Sequence, residues 1–304
     1  MAADHDSRYK MLFSHPLFVQ RLLESFVEEP FTAELDYSTL ERVNASFVSE
    51  EFSRRESDII WKATFAGRPL YLFILIEFQS SVDRHMPIRF LRYLAEFYQG
   101  FSTEHGAAEQ LPAVFPLLLY NGDARWSAAV SVEALIEATI PARFIPHLHY
   151  YPILVNEIPP ERLSRIHNAV SAVFYVENTE PERLGETIDE VIAILSEEAP
   201  EAVERFSLWL QNFLAATTGG GDAARPVRDL TEVRTMFATK LEQYGEKLKR
   251  EARKEGLEKG REEEAVRVAR RLLARGESVY DVAEITELSE ERVRDIQADP
   301  DHPS

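Results

Sequence analysis

Residues 57–80 read SDIIWKATFAGRPLYLFILIEFQS, and this stretch decides the fold. The pattern predicts two strands, Ser57–Phe65 and Leu70–Phe78, joined by a tight turn at residues 66–69. The second strand is apolar at nearly every position, which favours burial on both faces at the centre of a sheet. We therefore expect a β-hairpin whose second strand runs through the middle of the protein.

The predicted register of this hairpin brings two acids together. A turn centred on residues 67–68 places Asp58 directly opposite Glu77, with Cβ atoms about 5 Å apart. Gln79 follows Glu77 by two residues and so lies on the same face. Two facing carboxylates at the end of an apolar strand repel each other and lose solvation unless a cation lies between them. Oxygen ligands of this kind suit Mg²⁺ or Mn²⁺ rather than zinc.

Simpler interpretations of these side chains stay open. Asp58 and Glu77 could form a surface salt bridge or be solvated strand ends, and Gln79 could be a hydrogen-bonded strand end. Lys62 lies four residues beyond Asp58 on the same predicted face. It could supply a positive charge to the site and to DNA, or be an ordinary solvated lysine.

Four short motifs carry a resemblance to a known family. In chain order they resemble motifs of the Rpn (YhgA-like) family: SDIIW at Ser57–Trp61, IEFQS at Ile76–Ser80, RFLRY at Arg89–Tyr93 and LYNG at Leu119–Gly122. Members of that family are described as recombination-promoting nucleases or transposases. The resemblance covers roughly residues 4–157, and a related tail recurs near Arg271–Val293.

Asp58 followed by Glu77-x-Gln79 is also similar to the D…(D/E)-x-K core of the PD-(D/E)XK nuclease superfamily. The resemblance implies that Asp58, Glu77 and the carbonyl of Phe78 hold Mg²⁺, with Mn²⁺ or Ca²⁺ as alternatives. This chain has Gln79 where lysine is usual, and a neutral amide can orient water but cannot act as a general base. The resemblance also offers Asp6 as a supporting metal ligand, although Asp6 could equally cap its helix.

Arginines next to this site are candidates for contact with DNA phosphates. A helix is predicted over Asp83–His105, with an apolar core stripe of Ile88, Leu91, Ala95 and Tyr98. Because this helix follows Gln79 directly, it should pass the site, which makes Arg89 and Arg92 the phosphate-contact candidates. Both could also be ordinary surface arginines.

Bulk composition narrows the class of protein. The 304-residue chain has a formal net charge of −18 and no cysteine, which excludes disulfides, cysteine-bound zinc and cysteine nucleophiles. No apolar run approaches the ~20 residues of a membrane span. The N-terminal MAADHDSRYK lacks the apolar region of a signal peptide, so we expect a cytoplasmic protein without membrane association. The acidity counts against tight non-specific DNA binding, because phosphate contacts come mainly from Lys and Arg.

The remaining pattern predicts an α/β fold, and the resemblance implies a restriction-endonuclease-like mixed central sheet flanked by helices. We expect a first helix at Asp4–Glu28 and an edge strand within Tyr37–Phe47. The other predicted elements are strands at Ala113–Tyr120 and Tyr150–Val155 and helices at Glu161–Val176, Pro181–Glu198 and Glu201–Ala216. Three histidines, His147, His149 and His167, lack metal-ligand spacing, and we interpret them as structural.

The sequence divides the chain into a nuclease-like domain with C-terminal helices (1–218), a glycine-rich linker (219–230) and a charged helical arm (231–304). Within the arm, Thr231–Ala274 predicts one long helix with few apolar positions, typical of a self-associating helix or a spacer. The tail Ser278–Ile296 resembles a helix-turn-helix. Its second helix begins with two acids that would repel phosphate, which favours a packing or protein-interaction role.

The sequence therefore predicts a metal-dependent DNA endonuclease that hydrolyses phosphodiester bonds. Its expected partners are DNA, a divalent metal ion and further copies of the chain, bound through the C-terminal helix. The alternative from another class is a non-catalytic assembly protein on a degenerate nuclease fold, which Gln79 and the acidic charge favour. A phosphodiesterase acting on RNA is a third hypothesis.

Overall fold

A computed structural model describes residues 2–43, 59–77, 82–106, 110–218 and 224–298. These residues form the predicted mixed α/β architecture around a five-stranded sheet whose strands lie side by side in chain order. The strands are β1 (Leu35–Val43), β2 (Ile59–Phe65), β3 (Arg68–Glu77), β4 (Ala113–Tyr120) and β5 (Tyr151–Leu154). Strands β1, β2 and β3 are antiparallel neighbours, whereas β3, β4 and β5 run parallel.

Helices cover both faces of the sheet and continue into the C-terminal region. In the described residues they are α1 (Ala2–Phe13), α2 (Pro16–Phe26), α3 (Met86–His105), α4 (Pro160–Ile166), α5 (Ala169–Glu177), α6 (Ile188–Leu195), α7 (Pro200–Thr218), α8 (Leu230–Ala274), α9 (Val279–Thr286) and α10 (Glu290–Ala298). The chain forms two compact units, Met1–Leu241 and Glu242–Ser304. None of the described helices is both long enough and apolar enough to cross a membrane.

Strand β3 is buried on both faces, as its sequence predicts. Its even-numbered residues from Leu70 to Ile76 belong to the core that contains α1, α2 and α4 to α7. Its odd-numbered residues from Tyr71 to Leu75 belong to a second core, formed with α3. Side chains alternate between the faces of a strand, so covering both faces requires an apolar residue at each successive position.

The predicted register of the β2–β3 hairpin is wrong by two residues. Phe65 pairs with Arg68, so the central turn residues are Ala66 and Gly67 rather than 67 and 68. Both have positive φ, 49° and 73°. This is the requirement of a type I′ turn, which favours glycine at the second central position. A shift of two leaves every described residue of the hairpin on its predicted face, because the faces alternate with period two.

The first predicted helix is two helices. Pro16 cannot lie inside a helix, since it lacks an N–H and disfavours helical backbone at the preceding residue. His15 is accordingly extended, with φ −107° and ψ 130°, and Pro16 begins α2. The predicted apolar stripe is confirmed as buried: Leu12, Phe13, Val19, Leu22, Leu23 and Phe26.

The core stripe predicted for α3 is wrong. Ile88 and Ala95 are exposed, and Leu91 and Tyr98 are half-buried. The buried side chains on this helix are Met86, Pro87, Arg89, Phe90, Tyr93, Leu94 and Phe97. The aromatic rings decide the orientation because each buries more apolar area than the aliphatic alternatives. The ring of Phe97 lies 4.8 Å from that of Tyr71 and 5.1 Å from that of Phe73, measured between centroids.

Beyond β5, two of the predicted helices are interrupted. Glu161–Val176 divides into α4 and α5 at His167, whose φ of 46° is left-handed. Asn168 then caps α5 by accepting from the Ser171 backbone N–H at 2.9 Å. Pro181–Glu198 begins as the 3₁₀ turn Pro181–Glu186 before α6.

The long helix and the tail are confirmed, and the tail has a core of its own. Helix α8 runs without a break over its 45 residues. Near its end it packs with α9 and α10 around five buried side chains: Val266, Ala269, Val282, Val293 and Ile296. The start of α8 belongs to the first compact unit, because Val233 and Phe237 are buried in the main core together with Val227.

These contacts predict where the chain can be shortened. We expect residues 1–241 to fold as a stable unit, and residues 1–219 to be less stable by several kcal/mol. The shorter variant loses three buried apolar side chains, Val227, Val233 and Phe237, each of which stabilises by about 1.5–3 kcal/mol. Urea unfolding of both variants measures the difference. Equal midpoints would show that these contacts contribute little.

Candidate active site

The carboxyl ends of the parallel strands define one edge of the sheet. Glu77 ends β3 and pairs with Tyr120, which ends β4. Asn121 follows β4, and Asn156 lies in the turn that follows β5. In open α/β sheets ligands bind in the crevice outside the carboxyl ends of the strands. We therefore take this edge as the candidate active site.

The predicted metal ligands are described only in part. The described residues do not include Asp58, Phe78 and Gln79. Glu77 is placed by its backbone at the end of β3, and Asp6 lies in α1. The direct opposition of Asp58 and Glu77 followed from the register that is wrong by two residues. A metal site formed by these acids stays a prediction.

Lys62 lies in β2, which is the strand next to the edge strand β1. It pairs with Glu41 of β1 and with Tyr71 of β3. Its side chain is 43% exposed, and Nζ lies 3.9 Å from Glu41 Oε2. The lysine is thus accessible to a ligand, with a surface carboxylate as its neighbour.

The two arginines proposed for phosphate contact differ in how exposed they are to solvent. Arg89 faces the sheet and is only 9% exposed. Its Nε donates to Tyr93 Oη at 3.2 Å, and its guanidinium lies 5.7 Å from the centre of the Tyr93 ring. The side chain of Arg92 is 42% exposed, lies over the same ring at 5.1 Å and is 3.9 Å from Glu96 Oε1. Arg92 is therefore the more accessible of the two cations.

A buried carboxylate at the same sheet edge was not predicted. Glu177, the last residue of α5, accepts hydrogen bonds at Oε2 from Tyr9 Oη and Asn121 Nδ2. Its other oxygen, Oε1, is buried and has no hydrogen-bond partner among the described residues. The three side chains come from α5, α1 and the end of β4. We call Tyr9, Asn121 and Glu177 the Glu177 cluster.

Burial dominates the electrostatics of this cluster. It raises the pKa of Glu177 from its ordinary value of 4.5 to about 7, although the bonds from Tyr9 and Asn121 and the charge of Arg8 lower it. Burial and the neighbouring carboxylate raise the pKa of Tyr9 well above its usual value. Tyr9 therefore keeps its proton and remains a hydrogen-bond donor to Glu177.

The Glu177 cluster borders a cavity of about 350 Å³. The lining residues are Asn121, Gly122, Asp123, Asn156, Glu177, Asn178 and Phe213. The sequence analysis assigned none of these residues to a site, although Asn121 belongs to the LYNG motif. For Glu177 the available signal was an acid that ends the otherwise apolar helix AVSAVFYVE.

Two of the three histidines interpreted as structural lie beside one glutamate. His147 Nδ1 and His149 Nε2 lie 3.6 Å and 3.4 Å from Glu133 Oε1, and both imidazoles are exposed. The described residues contain no group of three or more His, Cys, Asp or Glu side chains placed to hold a metal ion.

The raised pKa of Glu177 predicts a pH-dependent stability. The folded state binds this proton more tightly than the unfolded chain, so protonation stabilises the fold. That stabilisation is complete below pH 4.5 and is lost as the pH rises through about 7. Relative to wild type, Glu177→Gln should gain roughly 3 kcal/mol of unfolding free energy between pH 5 and pH 8.

Urea unfolding of both proteins at the two pH values measures this gain. The control is Glu137→Gln, which changes an exposed carboxylate. A difference between Glu177→Gln and wild type that does not change with pH would contradict the buried, ionisable state.

Comparison with known proteins places the chain among named relatives. A family profile described as "Putative transposase, YhgA-like" matches residues 3–204. The chain is 32% identical over 118 residues to the recombination-promoting nuclease RpnD of Escherichia coli O157:H7, covering 39% of this chain and 45% of that protein. It is 30% identical over 121 residues to the recombination-promoting nuclease RpnC of E. coli K12, covering 40% and 39%. These matches span less than half of either relative.

A further relative matches along nearly the whole chain. It is the inactive recombination-promoting nuclease-like protein RpnE of E. coli K12, 22% identical over 278 residues, which cover 90% of this chain and 91% of that protein. No solved structure matches.

Proposed function

Because the chain belongs to the YhgA-like transposase family, we propose that it is a metal-dependent endonuclease that hydrolyses DNA phosphodiester bonds. The observation that carries this proposal is the family match over residues 3–204, which includes the whole sheet and both predicted acids. Two of the similar proteins bear the name recombination-promoting nuclease. DNA as the proposed substrate also favours a cytoplasmic location. Helix α8 is the element through which we propose that copies of the chain associate.

The proposed ligands belong to adjacent strand ends. Strand β2 begins at Ile59 opposite Ile74, three residues before Glu77. Asp58 immediately precedes β2, so the proposal brings its carboxylate and that of Glu77 to the carboxyl edge of the sheet. Two carboxylates and the carbonyl of Phe78 form an all-oxygen set that suits Mg²⁺, Mn²⁺ or Ca²⁺. Asp6 of α1 is the proposed supporting acid.

A divalent metal ion bound there would supply an acidified water and neutralise the charge that develops on the phosphate. The side chain of Gln79 is neutral, so its proposed role is to orient the attacking water by hydrogen bonding. Arg92, exposed on α3, is the proposed phosphate contact, because a basic side chain must reach the backbone of the nucleic acid. Arg89 has the supporting role of holding Tyr93, and Lys62 is a second exposed cation.

A non-catalytic assembly protein is the second candidate function. The relative that matches 90% of the chain is named inactive. The net charge of −18 also opposes tight DNA binding. In this alternative Asp58 and Glu77 have structural partners only, and the charged helix α8 carries the function through self-association.

Replacing Asp58 by Asn distinguishes the two candidates. If Asp58 holds a catalytic metal ion, Asp58→Asn should lower Mg²⁺-dependent nicking of supercoiled plasmid by at least about 100-fold. Its unfolding midpoint without metal should stay level or rise, because the change eases the repulsion with Glu77. Nicking and thermal unfolding, each measured with and without Mg²⁺, test both expectations.

Asp295→Asn is the matched control, since it removes an exposed carboxylate from α10. Nicking that persists undiminished in Asp58→Asn would overturn the catalytic assignment. A lower midpoint in a protein that never nicks plasmid would support the assembly alternative.

A further inference from the structure

The cavity beside Glu177 is lined by buried oxygen atoms that have no hydrogen-bond partner among the described residues. Among the described residues that line it, two buried atoms have no hydrogen-bond partner, Glu177 Oε1 and Asn156 Oδ1. Both are oxygens. A buried carboxylate oxygen without a partner costs free energy unless a donor or a cation compensates it. These two oxygens therefore require a hydrogen-bond donor or a positive charge within the cavity.

The hydrogen-bond partners of Asn156 and Asn178 determine how the two side-chain amides are oriented. Asn156 Nδ2 donates to the carbonyls of Gly122 and Ala124, at 2.6 and 3.1 Å. Asn178 Nδ2 likewise donates to two carbonyls, those of Val155 and Ile158. A carbonyl oxygen can only accept, so the nitrogen of each amide must face the backbone. Asn156 Oδ1 then remains for a ligand.

We propose that this cavity is a divalent-cation site of its own, with Glu177 Oε1 and Asn156 Oδ1 as inner ligands and Asp123 at the rim. Carboxylate and amide oxygens completed by water are the ligands that Mg²⁺ and Ca²⁺ prefer. A cavity of about 350 Å³ has room for an ion with several waters. Phosphate, by contrast, would meet a carboxylate and two amide groups whose nitrogens are already engaged.

Charge balance allows a cation here. Arg8 contributes one positive charge beside Glu177, and its Nη1 lies 3.4 Å from the carbonyl of Asn212. The two carboxylates of Glu177 and Asp123 outnumber it. A bound ion would link the turns after β4 and β5 with the end of α5, and through Glu177 it would also affect Tyr9 of α1.

The site is distinct from the proposed catalytic centre. Leu117 and Leu119 belong to the core that contains α1, α5 and α7. Asn121 is two residues after Leu119 and so continues the same alternation along the chain. The odd-numbered residues of β3 from Tyr71 to Leu75, whose parity Glu77 shares, belong to the core of α3 on the opposite face. None of the residues that line the cavity belongs to the proposed catalytic centre, so the two proposals concern different side chains.

The test uses the full-length chain with Asp58→Asn, which removes a ligand from the proposed catalytic centre. Calcium chloride alone is titrated by calorimetry, and the unfolding midpoint is measured with and without Ca²⁺. We expect one binding event and a rise in the midpoint of at least about 3 °C at saturation, since a ligand that binds only the folded state stabilises it. Adding Glu177→Gln should weaken binding by roughly tenfold or more and abolish the rise.

Glutamine is a close mimic for this purpose. It keeps an acceptor for Tyr9 and Asn121 and places an amide donor where Oε1 lies, so the variant should fold without metal. Asp123→Asn, at the exposed rim, should weaken binding severalfold and serves as the second variant if Glu177→Gln does not fold. Glu137→Gln is the control, and it should leave Ca²⁺ binding unchanged.

Two results would overturn the proposal. One is a full Ca²⁺ response that survives both Glu177→Gln and Asp123→Asn. The other is an equal, Glu177-dependent response to spermidine, which would assign the cavity to organic amines. Plasmid nicking is measured separately, so failure of the nuclease assignment and failure of this site remain distinguishable.

Discussion

The architecture depends on a single constraint, which is that both faces of β3 must be buried from solvent. A strand with apolar residues at each successive position cannot lie at the surface without exposing half of them. Helix α3 covers one face and helices α1, α2 and α4 to α7 cover the other. Parallel pairing of β3 with β4 then fixes where the chain leaves the core, at Glu77 and Tyr120. Both proposed sites lie at that edge.

Local patterns located the strands and helices approximately, but they did not give the register of the β2–β3 hairpin or the breaks within three predicted helices. Strand β4 occupies Ala113–Tyr120 as predicted, because a short apolar run before Asn-Gly has few other solutions. The turn at Ala66 and Gly67 was misplaced by one position. That error follows from backbone geometry, since a type I′ turn needs positive φ at both central residues and glycine is favoured second. Pro16 carried a comparable signal, and it divides the first predicted helix.

Side-chain partners distant in sequence were beyond such patterns. Glu177 meets Tyr9 across 168 positions and Asn121 across 56. No spacing rule relates these residues, and only the packing of α1 and α5 on the end of β4 brings them together. The orientation of α3 illustrates the same limit, because Arg89 could be assigned to packing only once Phe90 and Phe97 were seen against the sheet. Asp58 and Gln79 lie outside the described residues, so their roles still rest on the family resemblance.

The central claim is that Asp58 and Glu77 together bind a divalent metal ion at the carboxyl edge of the sheet. The most direct measurement is an anomalous difference map from crystals of the full chain soaked in Mn²⁺. The account predicts an anomalous peak in contact with both carboxylates, beside Gln79. Well-ordered acids that point to opposite faces of the sheet, with no peak at either one, would contradict it.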